Sequence, residues 1–204
     1  MLIGSKLRGD TMIEVLFAVT IFSMVAIGGL TIMNQGAAAA QRSLEVSQVR
    51  HQIDTQAELL RMVYDEMIAE RTLGGSGDAT VLWASIRSKV GAITTTGDFS
   101  SNALSSGQCK LPKDGTRPFI MSPRTGKMVA LSDSNSARAS IYAQVREPVG
   151  SVYSEGMWIE ATGQGATVNN VGYIDFYIRA CWDTVGQAMP VTLGTIVRLY
   201  DPKQ

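Results

Sequence analysis

Residues 6–34 read KLRGDTMIEVLFAVTIFSMVAIGGLTIMN. Two basic residues, Lys6 and Arg8, stand just before Gly9, and an apolar run from Met12 to Met33 follows with a single acid, Glu14, near its start. A helix needs roughly 20 apolar residues to cross the hydrocarbon of a bilayer, and a soluble core helix rarely stays apolar on all sides over so many turns. The run therefore reads as a membrane segment. Positive charge stays on the cytoplasmic side, so the segment is expected to lie N-terminus inside as a single pass, with everything after it extracytoplasmic.

From Gly36 to Arg71 the pattern turns amphipathic, with no proline to interrupt it. Val46, Val49, Ile53, Ala57, Leu60, Tyr64 and Met67 recur at three or four residues, the helical stripe period, and Arg50, Asp54, Glu58, Arg61, Asp65 and Glu70 fall on the polar side. One helix from Asp10 to Arg71 is predicted, about 93 Å long at 1.5 Å per residue. Residues 10–34 form its transmembrane half and 35–73 its amphipathic half, packed along the stripe onto a domain at 74–204. Gly28 and Gly29 mark either a weak point in the helix or a site of close helix packing. His51 lies on the polar side and reads as a solvated histidine. GGSG at 74–77 ends the helix. Asp78 is expected to cap a short second helix carrying Trp83, Ile86 and Val90. The polar stretch 94–108 reads as a loop.

Strands are expected at Phe119–Met121 and Met128–Leu131, flanking the hairpin loop SPRTGK, then at Ile141–Val145, Met157–Ala161, Tyr173–Trp182 and Thr195–Tyr200. Turn signals at 163–172 and 186–190 separate the last three. In 173–182 strict alternation places Ile174, Phe176, Ile178, Ala180 and Trp182 on one face and Tyr173, Asp175, Tyr177, Arg179 and Cys181 on the other. Hairpin-length connections argue for an antiparallel sheet. The expected fold class is α+β, a long helix packed on that sheet.

Composition excludes much chemistry. Eighteen basic residues balance eighteen acidic ones, so no global field draws the chain to nucleic acid. One histidine and two cysteines are too few for a Cys/His zinc site. No phosphate-binding loop, nucleophile elbow or zinc-protease motif appears, and the Gly pair of GQG at 163–165 sits in an expected turn. Asp133, Ser134 and Asn135 offer oxygens but lack the calcium-loop pattern, so they read as a solvated loop. The tyrosines and tryptophans of 142–182 are spaced as strand residues, which favours sheet packing over a carbohydrate or nucleic-acid platform. No metal, cofactor or catalytic group is expected. In an oxidising compartment Cys109 and Cys181 either form one disulfide or remain two buried thiols.

Glu14 is the exception. An acid inside an apolar span costs roughly 2.5–3.5 kcal/mol at the helix centre and less near the edge, and by default marks function with a partner. No Lys or Arg follows within a turn or two. A cut after Gly9 would give Asp10 a new α-amino group, cationic at neutral pH, at the membrane depth of Glu14. A neighbouring copy shifted along its axis would bring that amine to the carboxylate. The alternative is an edge acid favoured by the helix dipole.

The sequence Lys6-Leu7-Arg8-Gly9, then Asp10-Thr11-Met12-Ile13-Glu14-Val15-Leu16 and a long apolar run, resembles the prepilin leader of type IV pilins and type II secretion pseudopilins. The resemblance covers about 30 residues. It implies a pilin-like fold, cleavage after Gly9 by a prepilin peptidase, and N-methylation at Asp10. It further implies assembly through an inner-membrane platform into a filament of pilin subunits, with Glu14 neutralising a neighbour's amino terminus. The chain would be lodged in the cytoplasmic membrane before assembly and in an extracytoplasmic or cell-surface filament afterwards. Position 10 is Asp where the family usually carries Phe or Met, and the globular part is large; both fit a minor subunit. Two other readings are a secreted protein cleaved near Ala37-Ala38-Ala39-Ala40 and a single-span anchored binding protein or enzyme.

Overall fold

A computed structural model of the chain describes residues 10–91, 109, 111–112, 117–164 and 172–201. The expected leader 1–9 and loop 94–108 lie outside the described residues. The chain divides into two units, residues 1–43 and 44–204. Helix α1, Asp10–Thr72, is a single unbroken element running through the boundary.

In the first unit α1 is exposed from Met12 to Ser43, and its large apolar residues from Met12 to Met33 are all more than half exposed. The segment is long and apolar enough to span a membrane. Its hydroxyls are already satisfied: Thr20, Ser23 and Thr31 donate to the carbonyls of Phe17, Val19 and Ile27 at 2.8, 2.7 and 2.9 Å. Such back-bonding leaves no polar group of these side chains to be desolvated unpaired.

In the second unit the rest of α1 buries the predicted stripe. Val49, Ile53, Ala57, Leu60 and Met67 are buried, joined by Val63, while His51, Arg50, Asp54, Glu58, Arg61 and Asp65 are exposed. The stripe packs on the inner face of a five-stranded antiparallel sheet in the order β2-β1-β6-β7-β8. These strands are β1 Phe119–Met121, β2 Met128–Ala130, β6 Met157–Gln164, β7 Gly172–Trp182 and β8 Val191–Asp201. β7 is the pivot, paired along its length with β8 (Ile178 with Thr195) and with β6 (Ile178 with Ile159). Its alternation is the expected one: Ile174, Phe176, Ile178, Ala180 and Trp182 all join the core under α1. A run of edge-to-face rings, Tyr64–Trp83–Phe176–Phe119, with centroids 5.4, 6.0 and 6.4 Å apart, ties α1, the short helix α2 (Asp78–Arg87), β7 and β1 together.

Three polar side chains of α1 complete the docking. Gln56 is fully buried, and its amide bonds both ways to the main chain of Met121, donating to the carbonyl and accepting from the N–H, each at 2.8 Å. It thus completes backbone pairing at the end of a three-residue strand. Glu45, also buried, accepts from Trp182 Nε1 at 3.2 Å and Thr184 Oγ1 at 2.7 Å. Glu70 accepts from the N–H groups of Gly77, Ala79 and Thr80 at 3.1, 3.1 and 2.8 Å and from the Thr80 hydroxyl at 2.7 Å.

Several expectations are corrected. The N-cap of α2 is Gly77 and not Asp78, and its free N–H groups are satisfied by Glu70, the residue expected on the polar side. A Cβ at Gly77 would lie 2.2 Å from Glu70 Oε1, so a side chain there would push the carboxylate off the N–H groups it satisfies. The Thr80 hydroxyl first, then the three N–H groups, hold the Glu70 carboxyl below its usual value against the opposing effect of burial. The strand expected at 141–145 is β4, Gln144–Arg146; Tyr142 and Ala143 pack on the core from outside it. It belongs to a second sheet, β3-β5-β4, with β3 Ser136–Ala137 and β5 Tyr153–Glu155 running parallel. Strands of two or three residues carry no readable period. Gly163 and Gln164 extend β6 instead of turning, pairing with Ile174 and Tyr173, and glycine allows the close approach because a Cβ at 163 would lie 2.3 Å from the Tyr173 carbonyl oxygen. β8 is longer at both ends than expected, and β2 stops one residue earlier, at Ala130.

Gln56→Ala is expected to destabilise the fold by about 2–4 kcal/mol, because it strands a buried donor and acceptor of Met121. Denaturant unfolding of the full chain measures it; a loss below about 0.5 kcal/mol would show that Met121 finds other partners.

Candidate functional site

The residues the sequence singles out do not converge on one cleft. Asp10 is the first residue of α1, and Gly9 lies outside the described residues. Glu14 sits one turn into the helix, exposed, with Ile13, Val15, Leu16 and Phe17 around it exposed by 58–66%. Among the described residues nothing bonds to its carboxylate. The hydroxyls of this segment are turned onto their own backbone, so Glu14 is the one side chain between Met12 and Met33 whose polarity no described residue compensates. Gly28 and Gly29 have nothing within 4 Å of where a Cβ would be, so packing inside the chain does not explain them.

Cys109 and Cys181 are joined by a disulfide with a Cα–Cα distance of 5.4 Å. It sits on the outer face of the sheet, away from α1, in a small second core with Ile120, Leu131 and Trp158. Bridging residues 72 apart removes denatured-state entropy worth about 4 kcal/mol in the chain-entropy account.

The same outer face carries a polar ladder that the sequence reading did not anticipate. Glu160 of β6 is 1% exposed and lies 3.1 Å from the Arg179 guanidinium of β7. Burial pushes its carboxyl up from 4.5 to about 7; Arg179 and the Trp158 indole oppose this but do not cancel it. Further along β7, Asp175 binds Arg198 of β8 through two hydrogen bonds of 2.6 and 2.7 Å. Arg198 lies over the Tyr173 ring at 4.2 Å, and Arg179 over Tyr177 at 5.4 Å. The alternation of 173–182 had assigned these residues to one face; what it lacked was the register with β6 and β8 that brings each charge to its partner.

Ser134 and Asn135 spend their side-chain oxygens within the loop. Asn135 Oδ1 accepts from the Ser132 N–H at 2.7 Å, and Ser134 Oγ meets Ser132 Oγ at 2.8 Å. Among the described residues no three His, Cys, Asp or Glu side chains are grouped to hold a metal ion. Comparison of the chain with protein-family models, with characterised proteins and with solved structures finds no match.

A carboxyl whose folded-state value lies above its unfolded one holds its proton more tightly when folded. The contribution of Glu160 to stability is therefore fully present below pH 4.5 and lost as pH rises towards about 7. Denaturant titrations of the full chain across that window should show stability falling with pH, and Glu160→Gln should flatten that component. An unchanged slope in the variant would assign it to other groups.

Proposed function

We propose that the protein is a structural subunit, a minor pilin or pseudopilin, of a type IV pilus or type II secretion-like filament. The observation that carries this reading is the combination on one continuous helix, Asp10–Thr72, of an exposed apolar first part bearing an uncompensated Glu14 and a second part whose stripe is buried under a sheet. A plain anchor has no need of an intramembrane acid, and a cleaved signal has no need of continuity into a domain-bearing helix. The leader sequence up to Gly9 supplies the missing partner: cleavage there by a prepilin peptidase creates an amine on Asp10, N-methylated in the family, and the amine of an adjacent subunit meets Glu14 in the bilayer. Asp10 and Glu14 stand four apart on the helix, a like-charge spacing that opposes the helix by a few tenths of a kcal/mol. Their shared claim on the amine fits a subunit used sparingly. The role is non-catalytic, and the partners are other pilin subunits, the peptidase, the inner-membrane assembly platform and lipid.

The amino-terminal mass of the mature protein is expected to begin at Asp10, with or without a methyl group; a start near Ala40 or an intact Met1 overturns the reading. Glu14→Ala should leave the protein folded and membrane-bound while lowering its share in sheared filaments roughly tenfold, as the loss of one charge-assisted bond of about 1.5 kcal/mol implies. Undiminished incorporation would remove Glu14 from assembly.

A further inference from the structure

The outer face of β7 and β8 has a feature that the filament reading neither uses nor requires. Cross-strand register sets three rungs side by side: Tyr173 with Tyr200, Asp175 with Arg198, and Tyr177 with Ile196. Ile196 and Tyr200 are each 59% exposed, and the Arg198 side chain between them is 52% exposed. These three project from one strand at alternate positions, about 7 Å apart. The centre of the array is rigid. Arg198 is clamped by both oxygens of Asp175 from below and lies against the Tyr173 ring. Its Nε and Nη2 are used, and its Nη1 amino group has no hydrogen-bond partner among the described residues.

The chemistry narrows what fits. Both guanidiniums of this face are matched by carboxylates, Arg198 by Asp175 and Arg179 by Glu160. Polyanions bind by replacing counterions on unmatched cations, and this face offers none among its described residues. A stable protein interface takes about 800 Å² from each partner; two half-exposed apolar side chains separated by a guanidinium supply a small part of that. What remains is a ligand of a few rings, uncharged, with apolar faces and a polar rim. A sugar chain has this pattern: the C–H faces of a pyranose stack on an aromatic ring, and its hydroxyls accept from a fixed N–H donor. A donor already held in place binds without the cost of ordering it.

We propose that the Ile196–Arg198–Tyr200 row on the outer face of the sheet is a binding site for a neutral carbohydrate chain, with Tyr200 as the stacking ring and Arg198 Nη1 as the donor to its hydroxyls. The sheet on its inner side is filled by the core under α1, so the ligand lies along the strands on the open side.

The full chain in lipid nanodiscs, which avoids sugar-based detergents, is titrated by calorimetry with neutral cello-, chito- and manno-oligosaccharides and with heparin and polygalacturonate. At least one neutral series is expected to bind, with Tyr200→Ala weakening it about tenfold or more and Tyr200→Phe retaining it. Ile196→Lys, at an exposed position of the same row, should also weaken it, and unchanged thermal unfolding of each variant shows that the fold survives. The proposal is overturned if none of the neutral series binds, if the anionic polymers bind instead, if Tyr200→Ala and Ile196→Lys bind as the unaltered chain does, or if the row proves to mediate self-association that Tyr200→Ala abolishes.

Discussion

The structure of residues 44–204 depends on one requirement, that the apolar face of β7 be covered. Five of its side chains, Ile174, Phe176, Ile178, Ala180 and Trp182, point to the same side, and β6 and β8 extend that surface with Met157, Ile159, Ala161, Val197 and Leu199. At roughly 1.5–3 kcal/mol for each large side chain buried, no loop replaces a helix with a matching stripe. α1 supplies the stripe, and α2 fills the remaining space with Ala79, Trp83 and Ile86. The polar contacts from α1 then act as registration marks. Apolar packing tolerates a helix sliding along its axis, whereas Glu45 on Trp182 and Thr184, Gln56 on Met121 and Glu70 on the start of α2 each fit at a single position.

The sheet's two faces obey different rules. The inner one is dry and aromatic. The outer one holds its charges in cross-strand pairs and is partly closed by the disulfide and Trp158. Glu160 shows the tension in that arrangement, since a carboxyl at 1% exposure loses more hydration than its partner Arg179 returns. The Asp175–Arg198 pair, with half of the arginine in solvent, avoids that cost by keeping one side wet.

Sequence made the helix and the central strand legible for the same reason: both are long enough for a period to repeat. The stripe from Val49 to Met67 names Val49, Ile53, Ala57, Leu60 and Met67 as buried, missing Val63 and overplacing the half-buried Tyr64, and the alternation from Ile174 to Trp182 names the five residues that face α1. Short elements were not legible. β3 and β5 show no period, and their parallel pairing depends on the chain's path and not on local preference. Polar residues that reach across the structure were misplaced for a related reason. Glu70 lies at a surface position by helical spacing, and only the turn of GGSG brings three N–H groups back to it. Gln56 and Glu160 look like ordinary surface residues until the opposing strand is known. Of the candidate site, Glu14 stood out from one residue's chemistry against its neighbours, a local signal; the ladder on β7 and β8 required register.

The stretch between α2 and the disulfide is held at both ends. Gly91 makes a bridge to Thr162 on β6, and Cys109 is bonded to Cys181 on β7. Both anchors stand on neighbouring strands of one sheet, so the positions of Gly91 and Cys109 are set by the sheet. The frame on either side of residues 92–108 is therefore fixed twice over, at one end by backbone pairing and at the other by a covalent bond.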